Sequence, residues 1–501
     1  MRRGDRPVGF VLTVLCGMLL QAALLTYLVQ HGFVSLSADE FSRSLRSQRW
    51  AAAPEIVWWS GVWMPAELYL HGLSHWLFDD PLVGPRVTVF LSSWVLMTYV
   101  ALLVRRMWGD PLVTFVAVII LASHPWYVAL SGTPMLDIYY LSFFVAGIYY
   151  LSCWLEEHRD RHLMLAAVAF MGASAFHISS WLFIASVDLC LIPIAVAAVR
   201  AGDRARLARL CAFGALSSVF VGYYLVATWV MEGSVGAGIA EHTEYTRWFR
   251  DGYDVSVGEK LLYYPRLVAR RDWLMLLVAA PVVGVTLFGR TGGSRVLPAC
   301  VAALAMIAAS VFNVFSVPPS AAPGRYALPY VMLLCPYFAI GVRRLVAVPG
   351  PVWRRAITAM AAVAIVCGVL ATHITRLQSA QVGLHPDSIA TGRFLRQAAG
   401  QAPILLERHY WEYLAVIAAS GLPDAFVFDR PGTKRDRDAP SMLADQRGLA
   451  AFLDEHEPGF LVVRSHMPPS RTVRFQRLTT ERGGRVQRIG QWTVYVLTPL
   501  G

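Results

Sequence analysis

The sequence has little charge. Only 15% of its 501 residues are charged, whereas 56% are hydrophobic, and the mean hydropathy is +0.49. A soluble globular protein would need a far more polar surface, so this composition excludes that class. The chain is instead long enough and apolar enough to contain many membrane-spanning helices, and we interpret it as an integral membrane protein.

Several motifs of soluble catalysis are also missing. Seven cysteines are present, and none lies beyond residue 367, so the C-terminal part has no disulfide framework. The cysteines are Cys16, Cys153, Cys190, Cys211, Cys300, Cys335 and Cys367. The sequence contains no CxxC, G-x-x-x-x-G-K-[ST], H-E-x-x-H or G-x-S-x-G motif. Nucleotide-driven transport, zinc hydrolysis and serine hydrolysis therefore lack support.

Long apolar runs dominate the sequence. Stretches of about 17 to 25 apolar residues can cross the hydrocarbon layer as helices, and we predict about eleven of them. The predicted spans are 9–29, 85–104, 111–130, 138–155, 163–178, 181–199, 207–231, 273–289, 296–317, 326–342 and 356–374. The first run lacks a small-residue cleavage pattern, which favours a retained helix over a signal peptide.

Arginine clusters set the predicted orientation. They precede the first span and recur in short loops at 105–106, 159–161, 200–209, 290–295 and 343–355. By the positive-inside rule, the N-terminus and these loops face the cytoplasm. The formal net charge of +11 is then mainly a topology signal and not a sign of nucleic-acid binding. The intervening loops, and everything after residue 374, face outward.

The pattern predicts two domains. Residues 1–374 would form the membrane domain, including an outer loop at 30–84 and another at 232–272. The first loop has apolar residues at helical spacing, such as Phe41 and Leu45, and several tryptophans, which suit the membrane interface. Residues 375–501 alternate polar helical stretches with short apolar runs such as GFLVVRS, which predicts a small extracytoplasmic α/β domain.

Four short motifs suggest a family. Asp39-Glu40 follows the first span, WMPAELYLHGLSHWLF leads to Arg86, HPWYVALSGTPMLDIYY joins two spans, and RYALPY precedes the last spans. In order and topology the chain resembles the polyprenyl-phosphate-sugar-dependent glycosyltransferases of the GT-C superfamily, in the branch of protein O-mannosyltransferases and lipid A aminoarabinose transferases. The resemblance implies a GT-C-like helical membrane fold. It also implies inverting transfer of a sugar from a polyprenyl phosphate to an acceptor hydroxyl at the outer face of the bacterial plasma membrane.

Such a transfer needs a carboxylate. The phosphate is an adequate leaving group, so the demanding steps are deprotonation of the acceptor and stabilisation of positive charge at the anomeric carbon. The resemblance places the general base at Asp39. Glu40 is a candidate for substrate binding. We expect its side chain to lie on the other side of the helix start, where it caps or positions the helix. An alternative is that SADE is only a helix start, with Ser37 as its N-cap.

Asp137 is the second acid, in the short outer turn between the third and fourth spans. The resemblance implies that Asp137 takes part in catalysis, where it would bind the acceptor, a metal ion or both. Alternatively, Asp137 only caps a helix. A divalent cation would bridge Asp39 and Asp137 if they lay within a few ångström of each other, but the sequence assigns no cofactor. His124, just before Pro125, is interpreted as packing at a helix end.

Basic residues at the outer surface are candidates for phosphate contacts. His177 lies in an apolar region, where burying an ionisable group is costly, and Arg325 and Tyr326 begin an Arg-Tyr-x-x-Pro pattern. The resemblance implies that they contact the phosphate of the donor. A guanidinium can bind a phosphate through two parallel N–H donors. The alternatives are a core histidine and an interfacial arginine. In loop 232–272, Arg247 and Arg250 are predicted to meet substrate phosphate or lipid head groups.

Two other classes of function stay open. A transporter or lipid flippase should concentrate ionisable residues near the bilayer midplane, whereas here they concentrate at the outer boundary. A scaffold that has lost catalysis is the third class, and the presence of Asp39 argues against it. An enzyme should bring Asp39, Asp137, His177 and Arg325 together in one outward-facing cavity. Its expected partners are a lipid-linked donor, a glycan, lipid or protein acceptor, and membrane lipids, with no nucleic acid.

Overall fold

The contacts within the chain define two compact units. The first comprises residues 1–31, 56–66 and 89–381, and the second comprises residues 32–55, 67–88 and 382–501. The computed structural model describes residues 7–58, 61, 63–237, 240, 256–289, 292–315, 323–379, 386–400, 402–408, 411–429, 441, 443, 446–466 and 469–497. Arg247 and Arg250 lie outside the described residues.

Helices make up most of the described chain. In chain order they are α1 (Pro7–Gln30), α2 (Asp39–Ala52), α3 (Pro65–His75), α4 (Val83–Trp108), α5 (Pro111–Ser123), α6 (Pro125–Ser131), α7 (Asp137–Glu157), α8 (Asp160–Phe176), α9 (Ser179–Arg200), α10 (Arg204–Ser217), α11 (Val219–Glu232), α12 (Val257–Phe288), α13 (Gly293–Phe315), α14 (Leu328–Val346), α15 (Val352–Ser379), α16 (Pro386–Ala398), α17 (Tyr413–Ser420), α18 (Gln446–His456) and α19 (Pro469–Glu481). A 3₁₀ turn, Pro323–Ala327, precedes α14. The strands are β1 (Ile404–Leu406), β2 (Phe426–Phe428), β3 (Phe460–Arg464), β4 (Arg485–Ile489) and β5 (Trp492–Val496).

The first unit contains the membrane-spanning helices. Among the described residues, 8 helices are long and apolar enough to cross a membrane, or up to 10 spans if each of two bent helix pairs counts as one. The pairs are α5–α6, bent by 64°, and α10–α11, bent by 47°. The predicted span at 163–178 forms α8, whose 17 residues are at the lower limit for crossing the hydrocarbon. The prediction of a multi-pass helical membrane protein is confirmed.

Two breaks in the helices place polar side chains inside this unit. At His124 the backbone is extended (φ −66°, ψ 125°), because a residue before proline avoids the helical region and Pro125 has no N–H to continue α5. At Asp272 the backbone of α12 leaves the helical region (φ −130°, ψ 32°). Both residues are buried. Each break therefore turns an ionisable side chain into the interior of the unit.

The second unit is built on a mixed five-stranded sheet in the order β2-β1-β3-β5-β4. β1 pairs in parallel with β2 and β3, and β5 pairs antiparallel with β3 and β4. β1 and β3 read as continuous apolar runs because parallel strands are buried on both faces. The α/β character predicted for the C-terminal part is confirmed.

Helices cover both faces of this sheet. Leu405, Leu461 and Tyr495 face a core that includes Leu453 of α18 and Phe475 of α19. On the opposite face, alternate strand residues meet α16, α17 and α2. Because successive side chains of a strand point to opposite faces, three-residue β1 contributes to both cores.

The position of α2 differs from the sequence interpretation. Phe41 and Leu45 were assigned to an interfacial stretch of the membrane domain, but both are buried in the core of the second unit, at 1% and 8% exposure. An amphipathic pattern shows that one face of a helix is covered by apolar surroundings. It does not show whether lipid or a protein core covers that face. Other apolar side chains of the loop, including Trp58, Trp76 and Leu77, are exposed, as an interfacial segment would leave them.

Candidate functional site

Two neighbouring carboxylates begin α2 in the second unit, and the structure gives them different environments. The Oε1 atom of Glu40 accepts hydrogen bonds from the backbone N–H groups of Leu36 (2.6 Å) and Ser37 (3.2 Å). Ser37 Oγ in turn accepts from the backbone N–H of Asp39 at 3.1 Å. Glu40 thus closes the turn before the helix, the capping role that the sequence allowed for it.

Glu40 is completely buried, and its second oxygen lies 3.7 Å from the guanidinium of Arg86. Burial raises the pKa of Glu40 to about 7, against the opposing influence of Arg86 and the two backbone N–H groups. Arg86 also donates a hydrogen bond to the carbonyl of Val34 at 2.6 Å. The Glu40 side chain is therefore committed to holding this turn.

The carboxylate of Asp39 has a different environment. Asp39 is only half-buried, and within the described part of the chain its carboxylate oxygens form no hydrogen bond or ion pair. Of the two acids, Asp39 is therefore the one whose oxygens stay available to a bound molecule. Sequence reasoning had preferred Asp39 as the general base on resemblance, and that role stays a prediction.

A buried polar network holds α2 against α3. Arg43 donates a hydrogen bond to Glu67, and Arg46 lies 3.8 Å from the other oxygen of that carboxylate. Burial raises the pKa of Glu67 above its usual value, although the two arginines oppose this shift. Burial also lowers the pKa of His71, next to this network, to about 3, so its imidazole is neutral at physiological pH. Sequence reasoning missed this network, although its ionisable residues in an otherwise amphipathic segment could have indicated it.

In the first unit, Asp137 begins α7 and is buried. One turn later, the ring of Tyr140 lies 5.2 Å from the ring of His177, whose Nδ1 accepts a hydrogen bond from the backbone N–H of Ser179 at 3.0 Å. The hydroxyl of Tyr140 interacts electrostatically with Asp137 and with Arg325. Tyr140 was missed by sequence reasoning, and its helical spacing from Asp137 was the available signal.

Arg325 and Tyr326 complete this Tyr140 cluster, which we define as Asp137, Tyr140, His177, Arg325 and Tyr326. Arg325 is only 7% exposed. Its Nη2 donates to the Tyr326 hydroxyl at 2.7 Å, and its guanidinium lies 4.8 Å from the centre of the Tyr326 ring. The structure thus brings four predicted residues of the first unit together around Tyr140.

A second arginine lies next to this cluster. The guanidinium of Arg271 lies 5.2 Å from the ring of Trp126, a cation–π contact. A Cβ atom at Gly324 would come within 2.0 Å of Trp126 Nε1 and 2.6 Å of the Arg271 guanidinium carbon. Only glycine permits this close approach, which places Arg271 beside the residue that precedes Arg325.

Residues that could hold a metal ion form a separate group in the first unit. His124, Asp272 and His373 are all buried, and their ligand atoms lie within 4.8 Å of one another. His124 was interpreted as packing at a helix end, which is where it lies, and sequence reasoning singled out neither Asp272 nor His373. The predicted bridging of a cation by Asp39 and Asp137 stays a prediction, since the two residues belong to different units.

Comparison with known proteins gives a fold. No protein-family model and no curated protein matches the chain by sequence. The crystal structure of ArnT from Cupriavidus metallidurans bound to undecaprenyl phosphate matches 97% of this chain and 98% of its own, at 14% identity and a TM-score of 0.63. The chain has the GT-C fold.

Two further structures share this GT-C fold. ArnT from the same organism in the apo state matches 97% of this chain and 97% of its own, at 16% identity and a TM-score of 0.59. The archaeal oligosaccharyltransferase AglB from Archaeoglobus fulgidus matches 91% of this chain and 69% of its own, at 11% identity and a TM-score of 0.54. The GT-C fold predicted from four short motifs is confirmed.

Proposed function

We propose that this chain is a membrane glycosyltransferase that takes a sugar from a polyprenyl phosphate and transfers it to an acceptor hydroxyl. The observation that carries the proposal is the match of its fold to ArnT over nearly the whole length of both chains, in a structure that has undecaprenyl phosphate bound. The AglB structure contains a dolichol-phosphate. The proposal is that this chain binds the same kind of lipid phosphate as its sugar donor.

The Tyr140 cluster is the proposed donor site. A phosphate diester carries negative charge, which a guanidinium can meet with paired N–H donors, and a buried arginine does so in a medium that screens little. Arg325 is buried and donates to a neutral hydroxyl, and Arg271 lies beside Gly324. His177 and the Tyr326 hydroxyl would add hydrogen bonds to the phosphate.

Asp39 is the proposed general base. The acceptor oxygen attacks the anomeric carbon from the face opposite the phosphate while the bond between that carbon and the phosphate oxygen breaks. The bonding electron pair leaves with the phosphate, and Asp39 takes the proton of the acceptor hydroxyl. The unoccupied carboxylate of Asp39 supports this assignment over Glu40, whose oxygens hold the preceding turn. Asp137 is the proposed acceptor or metal partner.

The arginine-rich loops support a location in the bacterial plasma membrane with the N-terminus in the cytoplasm. In that orientation residues 375–501 lie outside the cell, where a lipid-linked sugar and its acceptor meet. Residues 375–501 then contribute to the choice of acceptor, which is a glycan, a lipid or a protein.

The test uses the full chain, purified and reconstituted in lipid. It is incubated with a panel of polyprenyl-phosphate sugars and a cell-envelope extract, and sugar transfer is measured for wild type, Asp39→Asn and Asp79→Asn. Asp79 is an exposed acid of the same unit, so Asp79→Asn makes the same chemical change away from the proposed site. We expect Asp39→Asn to lower kcat by about 100-fold or more and Asp79→Asn to change it little.

Two outcomes would contradict the proposal at different levels. Equal transfer by Asp39→Asn and wild type would remove Asp39 from the mechanism while leaving the reaction class intact. Wild-type protein that consumes none of the donors would shift the function to a transporter, a lipid flippase or a scaffold, and a lipid-flipping assay on the same vesicles would separate the first two from the third.

A further inference from the structure

The group formed by His124, Asp272 and His373 lies outside the Tyr140 cluster and has no part in the proposed transfer. The three residues are 2%, 5% and 2% exposed. They come from the break between α5 and α6, from the break in α12 and from α15. We propose that they bind a divalent transition-metal ion, with Zn²⁺ as the ion that suits them best, in a centre that ties these helices together. The proposal does not rest on the transferase activity.

The distances between the ligand atoms support a shared ion. His124 Nε2 lies 3.4 Å and His373 Nε2 lies 3.6 Å from Asp272 Oδ1. Direct hydrogen bonds from nitrogen to oxygen are shorter, at about 2.7 to 3.2 Å. A tetrahedral zinc ion with bonds of about 2.0 to 2.1 Å holds its ligand atoms about 3.3 to 3.5 Å apart. The two distances to Asp272 are close to the edge of a metal coordination shell and longer than a typical hydrogen bond.

The hydrogen bond between His373 and Ser123 adds a second, independent argument. Ser123 Oγ lies 3.0 Å from the carbonyl oxygen of Ile120 and 3.0 Å from His373 Nδ1. Both contacts are hydrogen bonds when Nδ1 carries a proton, because the single hydroxyl proton can then go to Ile120. That tautomer directs the lone pair of Nε2 towards Asp272, as in a histidine that binds a metal ion.

The carboxylate of Asp272 needs compensation as well. Its side chain is 1% exposed, and within the described ranges nothing hydrogen-bonds to its Oδ2 atom or to Nδ1 of His124. A buried carboxylate is unfavourable unless a cation compensates its charge. A divalent cation held by Asp272 and two imidazoles would remove that penalty.

The surrounding residues have the arrangement expected around a metal ligand. A histidine ligand generally donates its other ring N–H to a neighbouring oxygen, which fixes the ring, and Ser123 accepts this bond from His373. The rings of His124 and His373 are 5.0 Å apart and nearly perpendicular, so their Nε2 atoms can approach one ion from two directions. Two imidazoles and one carboxylate are a ligand set of zinc sites, and they leave a fourth coordination position.

The experiment measures metal content directly. The full chain is purified in detergent through a tag without histidine, from cells grown with zinc, and its metals are quantified by mass spectrometry. We expect about one zinc ion per wild-type chain. Asp272→Asn and His373→Gln should hold little zinc, whereas the matched control His177→Gln, which removes a histidine outside the group, should hold as much as wild type. Circular dichroism and gel filtration check that each variant folds.

Ser123→Ala keeps the proposal testable if the ligand variants fail to fold. It leaves all three ligands in place and removes only the acceptor for His373 Nδ1–H, so competition with a chelator should show zinc binding weakened by about 10- to 100-fold. Cobalt substitution gives a further readout, because tetrahedral Co²⁺ absorbs visible light far more strongly than octahedral Co²⁺.

Three results would overturn the proposal. Wild-type protein could contain no zinc and take up none from a buffered zinc series. Folded Asp272→Asn and His373→Gln could hold as much zinc as wild type, which would place the ion elsewhere. Ser123→Ala could bind zinc with wild-type affinity while cobalt gives no tetrahedral spectrum, which would leave the three residues as a hydrogen-bonded polar group only.

Discussion

The buried Glu40 makes a strong prediction about stability and pH. Its pKa is raised from 4.5 to about 7 by burial in the folded protein. Below pH 4.5 the carboxyl is protonated in both the folded and the unfolded chain, whereas above pH 7 it is ionised in both. The folded state therefore loses stability as pH rises through this window, by about 3 kcal/mol for the difference between the two pKa values.

Replacing Glu40 with glutamine should remove this loss. The amide oxygen of glutamine can still accept the N–H groups of Leu36 and Ser37, and the side chain is neutral at every pH. Glu40→Gln is therefore expected to match wild type near pH 5 and to be more stable than wild type near pH 8, by up to about 3 kcal/mol. The gain is an upper limit because the partly buried guanidinium of Arg86 loses its charged partner.

Thermal unfolding of the full chain in lipid, followed by fluorescence at the two pH values, measures this difference as a shift in Tm. Glu55→Gln is the matched control, since it makes the same chemical change at an exposed glutamate of the same unit and should shift Tm equally little at both pH values. The reasoning would be refuted if Glu40→Gln destabilised the protein more at pH 8 than at pH 5. That result would mean that Arg86 and the two backbone N–H groups stabilise the ionised Glu40 by more than burial destabilises it.

Two other substitutions test the buried polar contacts. Arg43→Met should lower the free energy of unfolding by about 3 to 5 kcal/mol, because it leaves Glu67 buried without its hydrogen-bonding cation, and a large fall in Tm would show it. Arg477→Met, at an exposed ion pair, is the control, and an equal fall in both would contradict the role of burial. Tyr326→Phe removes the hydroxyl that accepts from Arg325, so KM for the lipid donor should rise about fivefold with little change in kcat; an unchanged KM would remove this contact from the donor site.

The spans could be predicted because they depend on local composition. A run of apolar residues long enough to cross the bilayer has to be helical whatever surrounds it, since every backbone group must be satisfied within the segment. Apolar runs such as GFLVVRS indicated the sheet of the second unit for a similar reason, because strands buried on both faces read as short continuous apolar runs.

The partner of α2 could not be predicted. Its apolar face is visible in the sequence at Phe41 and Leu45, but the same pattern would serve lipid or protein, and the structure assigns it to a protein core. The different environments of the two acids that begin α2 could not be derived from the sequence either, where only the family resemblance distinguished Asp39 from Glu40. Their difference depends on which one is buried beside Arg86, and that is a matter of packing.

The sequence by itself determined the helical membrane architecture, the α/β character of the C-terminal part and the short motifs that indicated the GT-C fold. These features follow from composition and from residues close together in the chain. Only the tertiary structure decided which ionisable residues share an environment: Tyr140 with Arg325, and His124 with Asp272 and His373. The physical reason is that burial and distance set the charge state and ligand geometry of these groups, and both depend on segments that lie far apart in the sequence.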